Sequence, residues 1–208
     1  MTAVADIAGV HRAQIGRIER AEQRPSLETL VACATALGAE VSIRIHTGTG
    51  PRLTDRHQAR MVECVLRQMH PMWRTRLEVP VPRPIRGVVD AVFARGDAPL
   101  RVIAEFQSML PRIEQQLRWM AEKSDAIAKT DGGEVSRLLV LRSTAATRAI
   151  ARDFEATLRT AYPARCRDAV ESLRSGMPWP GDSIVWMRID GETVEILDGP
   201  PRGVALGR

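Results

Sequence analysis

The stretch VIAEFQSML, from Val102 to Leu110, alternates apolar and polar residues as a strand does, and sets a carboxylate, Glu105, beside an amide, Gln107. Side chains two apart on a strand project to one face, so this pair stands together and offers a site. Upstream, Asp90 interrupts the apolar run GVVDAVF between Val89 and Val92. Aspartate is disfavoured in strands and costly to bury without partners, so its presence there asks for a use. Two carboxylates converging from neighbouring strands make a hard-oxygen site, and an amide beside them can orient water by hydrogen bonding.

The elements that must position these groups follow from periodicity. LTDRHQARMVECVLRQMH reads as a helix, WRTRLEVPV as extended, RGVVDAVFA as a strand, RGDAP as a turn and LRVIAEFQS as the next strand, together a meander. From Pro111 to about Ala128 the spacing Ile113, Leu117, Met120, Ile127 predicts a helix, which Gly132-Gly133 ends before the strand VSRLLVLRS. STAATRAIARDFEATLRTAY is predicted helical, as is the segment from Ala164 to Leu173. SIVWMRID and GETVEILD form a hairpin turning at Asp190-Gly191. Ahead of all this, Met1 to Ile45 predicts three short helices: Gly9-Val10 breaks the first from the second, Ser26 opens the third and Gly38 closes it. The Gly-, Thr- and Pro-containing run 46–57 is the expected linker, so the division is 1–45, 46–57 and 58–208.

A chain of 208 residues, 44% hydrophobic, has material for two unequal units. It carries 30 Lys+Arg against 25 Asp+Glu, and only Lys123 and Lys129 are lysines. The resulting +5 suits an anionic partner. Cys33, Cys64 and Cys166 are far apart and fit neither a zinc site nor a disulfide framework. With no signal-peptide pattern and no apolar run long enough for a membrane helix, the expectation is a soluble cytoplasmic protein. The four histidines form no cluster, and the tryptophans read as core or loop anchors.

Residues Val4 to Leu37 are similar to the lambda-repressor/Cro-like (XRE) family of helix-turn-helix domains, on the register of Ala5, Gly9-Val10, Ile15, Ile18, Glu19 and RPSLETL. The resemblance implies that the second helix enters the major groove of double-stranded DNA with His11, Arg12, Gln14 and Arg17 on its polar face. Gln14 would suit an adenine edge and Arg12 a guanine, with Arg17, Arg20 and Arg24 on phosphates. Against the family the segment reads as N-terminally truncated, lacking the helix that would wall Ile7, Ile15 and Leu30. Five arginines balance Asp6, Glu19, Glu22, Glu28 and Glu40 over residues 1–47, so binding by this neutral segment calls for local arginine placement or a homodimer.

The region from Leu53 to Arg142 resembles the PD-(D/E)XK nuclease superfamily, with Asp90 on one strand of a hairpin and Glu105-x-Gln107 on the next. The fold implied is a restriction-endonuclease-like α/β/α domain with a mixed sheet, following the small all-α segment. Asp90 and Glu105 would hold Mg²⁺ with the Phe106 carbonyl, and the metal would activate a water against a phosphodiester. Gln107 stands where the pattern has lysine, and Lys123 is the candidate to replace that cation. Gln115, Trp119 and Lys123 are spaced i, i+4, i+8 on one stripe; Gln115 with Trp119 resembles a Q-x-x-x-Y helix motif with Trp for Tyr, and Glu63 matches an upstream acidic ligand. The functional expectation is a DNA-binding transcriptional regulator carrying a nuclease-like domain. The alternatives are a Mg²⁺-dependent endonuclease targeted by the helix-turn-helix, and a protein-interaction module with a relic metal site.

Overall fold

The computed structural model describes residues 2–20, 22–39, 41, 56–110 and 112–206. The chain divides into two compact units, Met1–Thr47 and Gly48–Arg208. Most of the expected linker lies outside the described residues. Arg56 and His57, placed at its end from sequence, belong instead to the first helix of the second unit.

Among the described residues, three helices build the first unit: α1 (Thr2–Ala8), α2 (Arg12–Glu19) and α3 (Leu27–Ala36). At the end of α1, Gly9 takes φ +64°, its N–H donates to the Asp6 carbonyl and the Val10 N–H donates to that of Ala5. That is a Schellman closure, which needs a left-handed residue and so favours glycine. Ser26 caps α3 by accepting from the Thr29 N–H at 3.2 Å. Both α2 and α3 pack on α1, but the buried apolar side chains described in this unit are only Ala5 and Ile15. Ile7, Leu27, Leu30, Val31 and Leu37 are exposed. Of the three residues expected to lack a wall, Ile15 is covered within the unit while Ile7 and Leu30 are not.

The second unit is a mixed six-stranded sheet with strands in sequence order. β1 (Trp73–Pro80), β2 (Val88–Arg95) and β3 (Leu100–Gln107) form an antiparallel meander after α4 (Arg56–Gln68). α5 (Ile113–Asp131) crosses to β4 (Glu134–Arg142), parallel to β3. A second crossover through α6 (Ala145–Asp153), α7 (Glu155–Ala161) and α8 (Cys166–Ser175) leads to β5 (Ser183–Asp190), parallel to β4, and β6 (Thr193–Ile196) closes an antiparallel hairpin on β5. The single helix expected over STAATRAIARDFEATLRTAY is thus two, jointed at Phe154, which leaves the helical conformation and packs against the core.

Alternation along the strands feeds two cores. Ala91, Phe93, Val102, Ala104 and Phe106 enter the larger one with α4 and α8, whereas Val92 and Ile103 meet Met120, Ala126 and Ile127 of α5 in the smaller. Both positions of the period-two pattern are therefore apolar in the middle of the sheet, as expected of strands covered on two faces. Among the described residues no helix is long and apolar enough to cross a membrane.

Candidate functional site

Two groups of side chains could carry function, one in each unit. In the first, α2 buries Ile15 and turns His11, Arg12 and Arg17 to solvent, with Gln14 half-exposed. His11 also caps the helix, its Nδ1 accepting from the Ala13 N–H at 3.4 Å, so that the ring's Nε2 is the nitrogen left to donate outward. His11, Arg12, Ala13, Gly16, Arg17, Arg20 and Glu22 line one concave surface. Gly16 leaves room for the Arg20 guanidinium, which would stand 3.3 Å from a Cβ at that position. Arg20 is engaged by both oxygens of Glu22, at 2.7 and 3.1 Å, and the ion pair holds its guanidinium above its ordinary range. Arg12, Arg17 and Arg24 make no such pair with a described residue.

In the second unit the paired ladder of β2 and β3 runs from Ala94–Arg101 to Ala91–Ala104 and stops. One step further in the same register stand Asp90 and Glu105. Where the ladder would continue, the Asp90 carboxylate accepts the Phe106 N–H at 2.8 Å, so a side chain satisfies the backbone donor that the departing strand leaves. Lys123 reaches in from α5, donating to Glu105 Oε1 at 2.6 Å and to the Val88 carbonyl at 2.8 Å. Gly87, at φ +148°, lies under its stem: a Cβ there would sit 3.5 Å from Lys123 Cε. From α4, Gln58 donates to the Phe106 carbonyl at 2.7 Å. Two buried polar atoms at this strand end, Glu105 Oε2 and Gln107 Nε2, have no hydrogen-bond partner among the described residues.

Asp90 is 3%, Glu105 0% and Lys123 5% exposed, so the charges are withdrawn from water. Burial, followed by the like charge of Glu105, pushes the Asp90 carboxyl up to about 8, while the Phe106 N–H and Lys123 oppose the rise. Burial also raises Glu105, against the pull of the Lys123 ammonium. This set can hold or exchange a proton and can present carboxylate oxygen to a cation. Among the described residues, no three His, Cys, Asp or Glu side chains stand together closely enough to hold a metal ion.

Other residues singled out from sequence fall elsewhere. Glu63 sits on the outer face of α4, exposed and paired at 3.9 Å with Arg67, because the buried stripe of that helix is Gln58, Met61, Val62, Cys64 and Val65. On α5 the inward stripe is Ile113, Gln116, Met120, Lys123 and Ile127. Lys123 belongs to it; Gln115 is half-buried and Trp119 is exposed, since an i, i+4, i+8 series drifts off a stripe that follows 3.6 residues per turn. Gln58 was legible, because it lies three, four and seven residues before Met61, Val62 and Val65. Glu78 had no such signal: it lies between the paired residues Leu77–Ala91 and Val79–Val89, takes φ +48°, and its charge acts on Asp90.

Residues 1–43 match the helix-turn-helix family model, of the XRE type. The match spans 43 of the 208 residues and coincides with the three-helix unit. This supports DNA binding by the first unit; the second is described by its mixed α/β fold. No curated protein and no solved structure matches the chain.

Proposed function

We propose that the chain is a cytoplasmic transcriptional regulator of the XRE type that reads duplex DNA through α2 and carries a nuclease-like domain of the PD-(D/E)XK kind. The observation that carries this reading is the sidedness of α2. Ile15 anchors the helix inward while His11, Arg12 and Arg17 line one concave surface, with Gln14 half-exposed, an arrangement that suits a major-groove helix. A homodimer on paired half-sites supplies the affinity that a neutral unit lacks. Gel shifts over genomic fragments test it: selective retention of particular fragments is expected, with selectivity lost in Arg12→Ala and Gln14→Ala. Uniform retention of all fragments by the unaltered chain overturns it.

A second reading, a Mg²⁺-dependent endonuclease, is favoured by the unpartnered, buried Glu105 Oε2 beside Asp90. Mg²⁺ is commonly held by one or two carboxylates with water completing its shell, and Asp90 and Glu105 fit that donor set. When bound, the ion would acidify a water and offset charge on a phosphate. Lys123 contributes the positive charge that Gln107 lacks, and Gln107 aligns a water through its amide. Mg²⁺-dependent nicking that disappears in Asp90→Ala and in Glu105→Ala is the expected result; nicking that survives both excludes this centre. No nicking, with a stable protein partner bound instead, is the outcome belonging to an interaction module with a relic site.

A further inference from the structure

Of the chain's 30 basic and 25 acidic residues, five of each lie in residues 1–47; the remaining 25 and 20 put the whole +5 on residues 48–208. One ribbon is markedly basic. Residues 73–87, WRTRLEVPVPRPIRG, hold Arg74, Arg76, Arg83 and Arg86 against the single acid Glu78. All four arginines are exposed, and none makes an ion pair with a described residue. Arginines that serve the fold are bound: Arg95 to Asp97, Arg137 to Asp182 and Arg174 to Asp198.

Register fixes where the ribbon points. Arg74 lies opposite Ala94 and Arg76 opposite Val92, and Val92 packs in the core under α5, so both arginines occupy the α5 side of the sheet. β1 is an edge strand whose Val79 packs against the α5-side core, while Arg74 and Arg76, nearer its start, are exposed. Two positions along from Arg76, Glu78 falls between the pairs Leu77–Ala91 and Val79–Val89 that flank Asp90, so the ribbon runs up to the carboxylate centre.

We propose that this ribbon is a phosphate track: a nucleic-acid backbone lies along the outer face of β1 and the 81–87 loop, contacted by Arg74 and Arg76. The track supplies the salt-sensitive, sequence-independent affinity that the neutral recognition unit cannot, and it does so whether or not the carboxylates cleave. Successive same-face positions on a strand lie about 6.6 Å apart, which gives two guanidiniums in line, a geometry suited to a repeating polyanion. A protein partner would be expected to find an exposed aromatic or aliphatic anchor, and on this strand Thr75 and Leu77 face the other side with Trp73, while Val79 on the α5 side is partly buried in the core.

The test uses the full chain in EDTA, with fluorescence anisotropy of a labelled random-sequence duplex between 50 and 200 mM salt. Each phosphate contact contributes about 0.9 to the log–log salt slope, so Arg74→Gln/Arg76→Gln is expected to flatten the slope by about 2. It should also weaken binding at least about tenfold at moderate salt, equally on every sequence. Arg167→Gln/Arg202→Gln, which removes two exposed arginines elsewhere, should leave both quantities unchanged. Arg12→Ala/Arg17→Ala should abolish sequence preference while keeping the contribution of the ribbon; a loss of preference there, with no effect at Arg74 and Arg76, leaves the recognition reading standing and removes the track. An unchanged slope in Arg74→Gln/Arg76→Gln, an equal loss in the Arg167/Arg202 control, or competition by polyglutamate as effective as by duplex at equal charge each overturns the proposal.

Discussion

Lys123 of α5 and Glu105 of β3 meet at 2.6 Å with both side chains withdrawn from solvent, tying the crossover helix to the end of the sheet. A buried pair of this kind is worth little against an apolar replacement, but breaking it strands a charge. Lys123→Met leaves the Glu105 carboxylate without its cation and removes a donor from the Val88 carbonyl. Destabilisation of about 3–5 kcal/mol is expected. Glu105→Gln/Lys123→Met removes both charges and should recover most of that loss. Urea unfolding of the two variants beside the parent measures it; a double variant no more stable than Lys123→Met would mean that packing, not charge, holds the contact.

Asp90 imposes a pH dependence whose sign is fixed by its position. Its carboxyl, normally near 3.8, is pushed up to about 8, so the folded chain holds a proton over a range where the unfolded chain has lost it. Stability from this residue is therefore complete below about pH 4 and declines as pH rises through about 8. Asp90→Asn keeps an oxygen to accept the Phe106 N–H and carries no charge. Melting curves at pH 5, 7 and 9 should show the variant gaining on the parent with rising pH, by several degrees at pH 9. A gap that stays constant from pH 5 to 9 would place the Asp90 carboxyl in the ordinary range.

Much of this was visible in the sequence because it rests on short-range periodicity. The strand pairs around Asp90 and Glu105, the Gly9 turn and the Asp190-Gly191 hairpin all follow from patterns within ten residues or so, and burial of Asp90 was implied by Val89 and Val92. What the sequence left obscure depends on which face of a helix turns inward. Counting in fours from Gln115 reaches Lys123, yet the true stripe runs through Gln116 and Met120, and only the packed sheet distinguishes them. Glu63 and Gln58 show the same difficulty: both are polar residues on one helix, and the hydrophobic neighbours three to seven residues away decide which of them meets the strand. The backbone of Glu78 at φ +48° follows no sequence rule for a strand residue.

The first unit is sensitive to small changes. Gly9 holds φ +64° in the closure between α1 and α2, and a side chain there costs about 1–2 kcal/mol even with open space around it. With Ala5 and Ile15 the buried apolar side chains described in this unit, little else compensates. Gly9→Ala should make residues 1–47 proteolysed faster and reduce selective DNA retention, while leaving the main unfolding transition of the second unit in place. Unchanged proteolysis and retention would show that the Gly9 turn contributes nothing to the recognition unit.

Gln58 and Glu63 offer a final, paired test of the carboxylate centre. Gln58→Ala leaves the buried Phe106 carbonyl without its 2.7 Å donor, and an unsatisfied buried group costs about 1–3 kcal/mol. Glu63→Ala removes an exposed i, i+4 pair at 3.9 Å and should shift stability by less than about 0.5 kcal/mol. If Asp90 and Glu105 take up Mg²⁺, the ion raises the melting temperature in proportion to its affinity, and Glu63→Ala should preserve that rise in full. Loss of the Mg²⁺ effect in Glu63→Ala would require α4 to turn its outer face to the strand end, giving up the burial of Gln58, Met61, Val62 and Val65 that fixes it now.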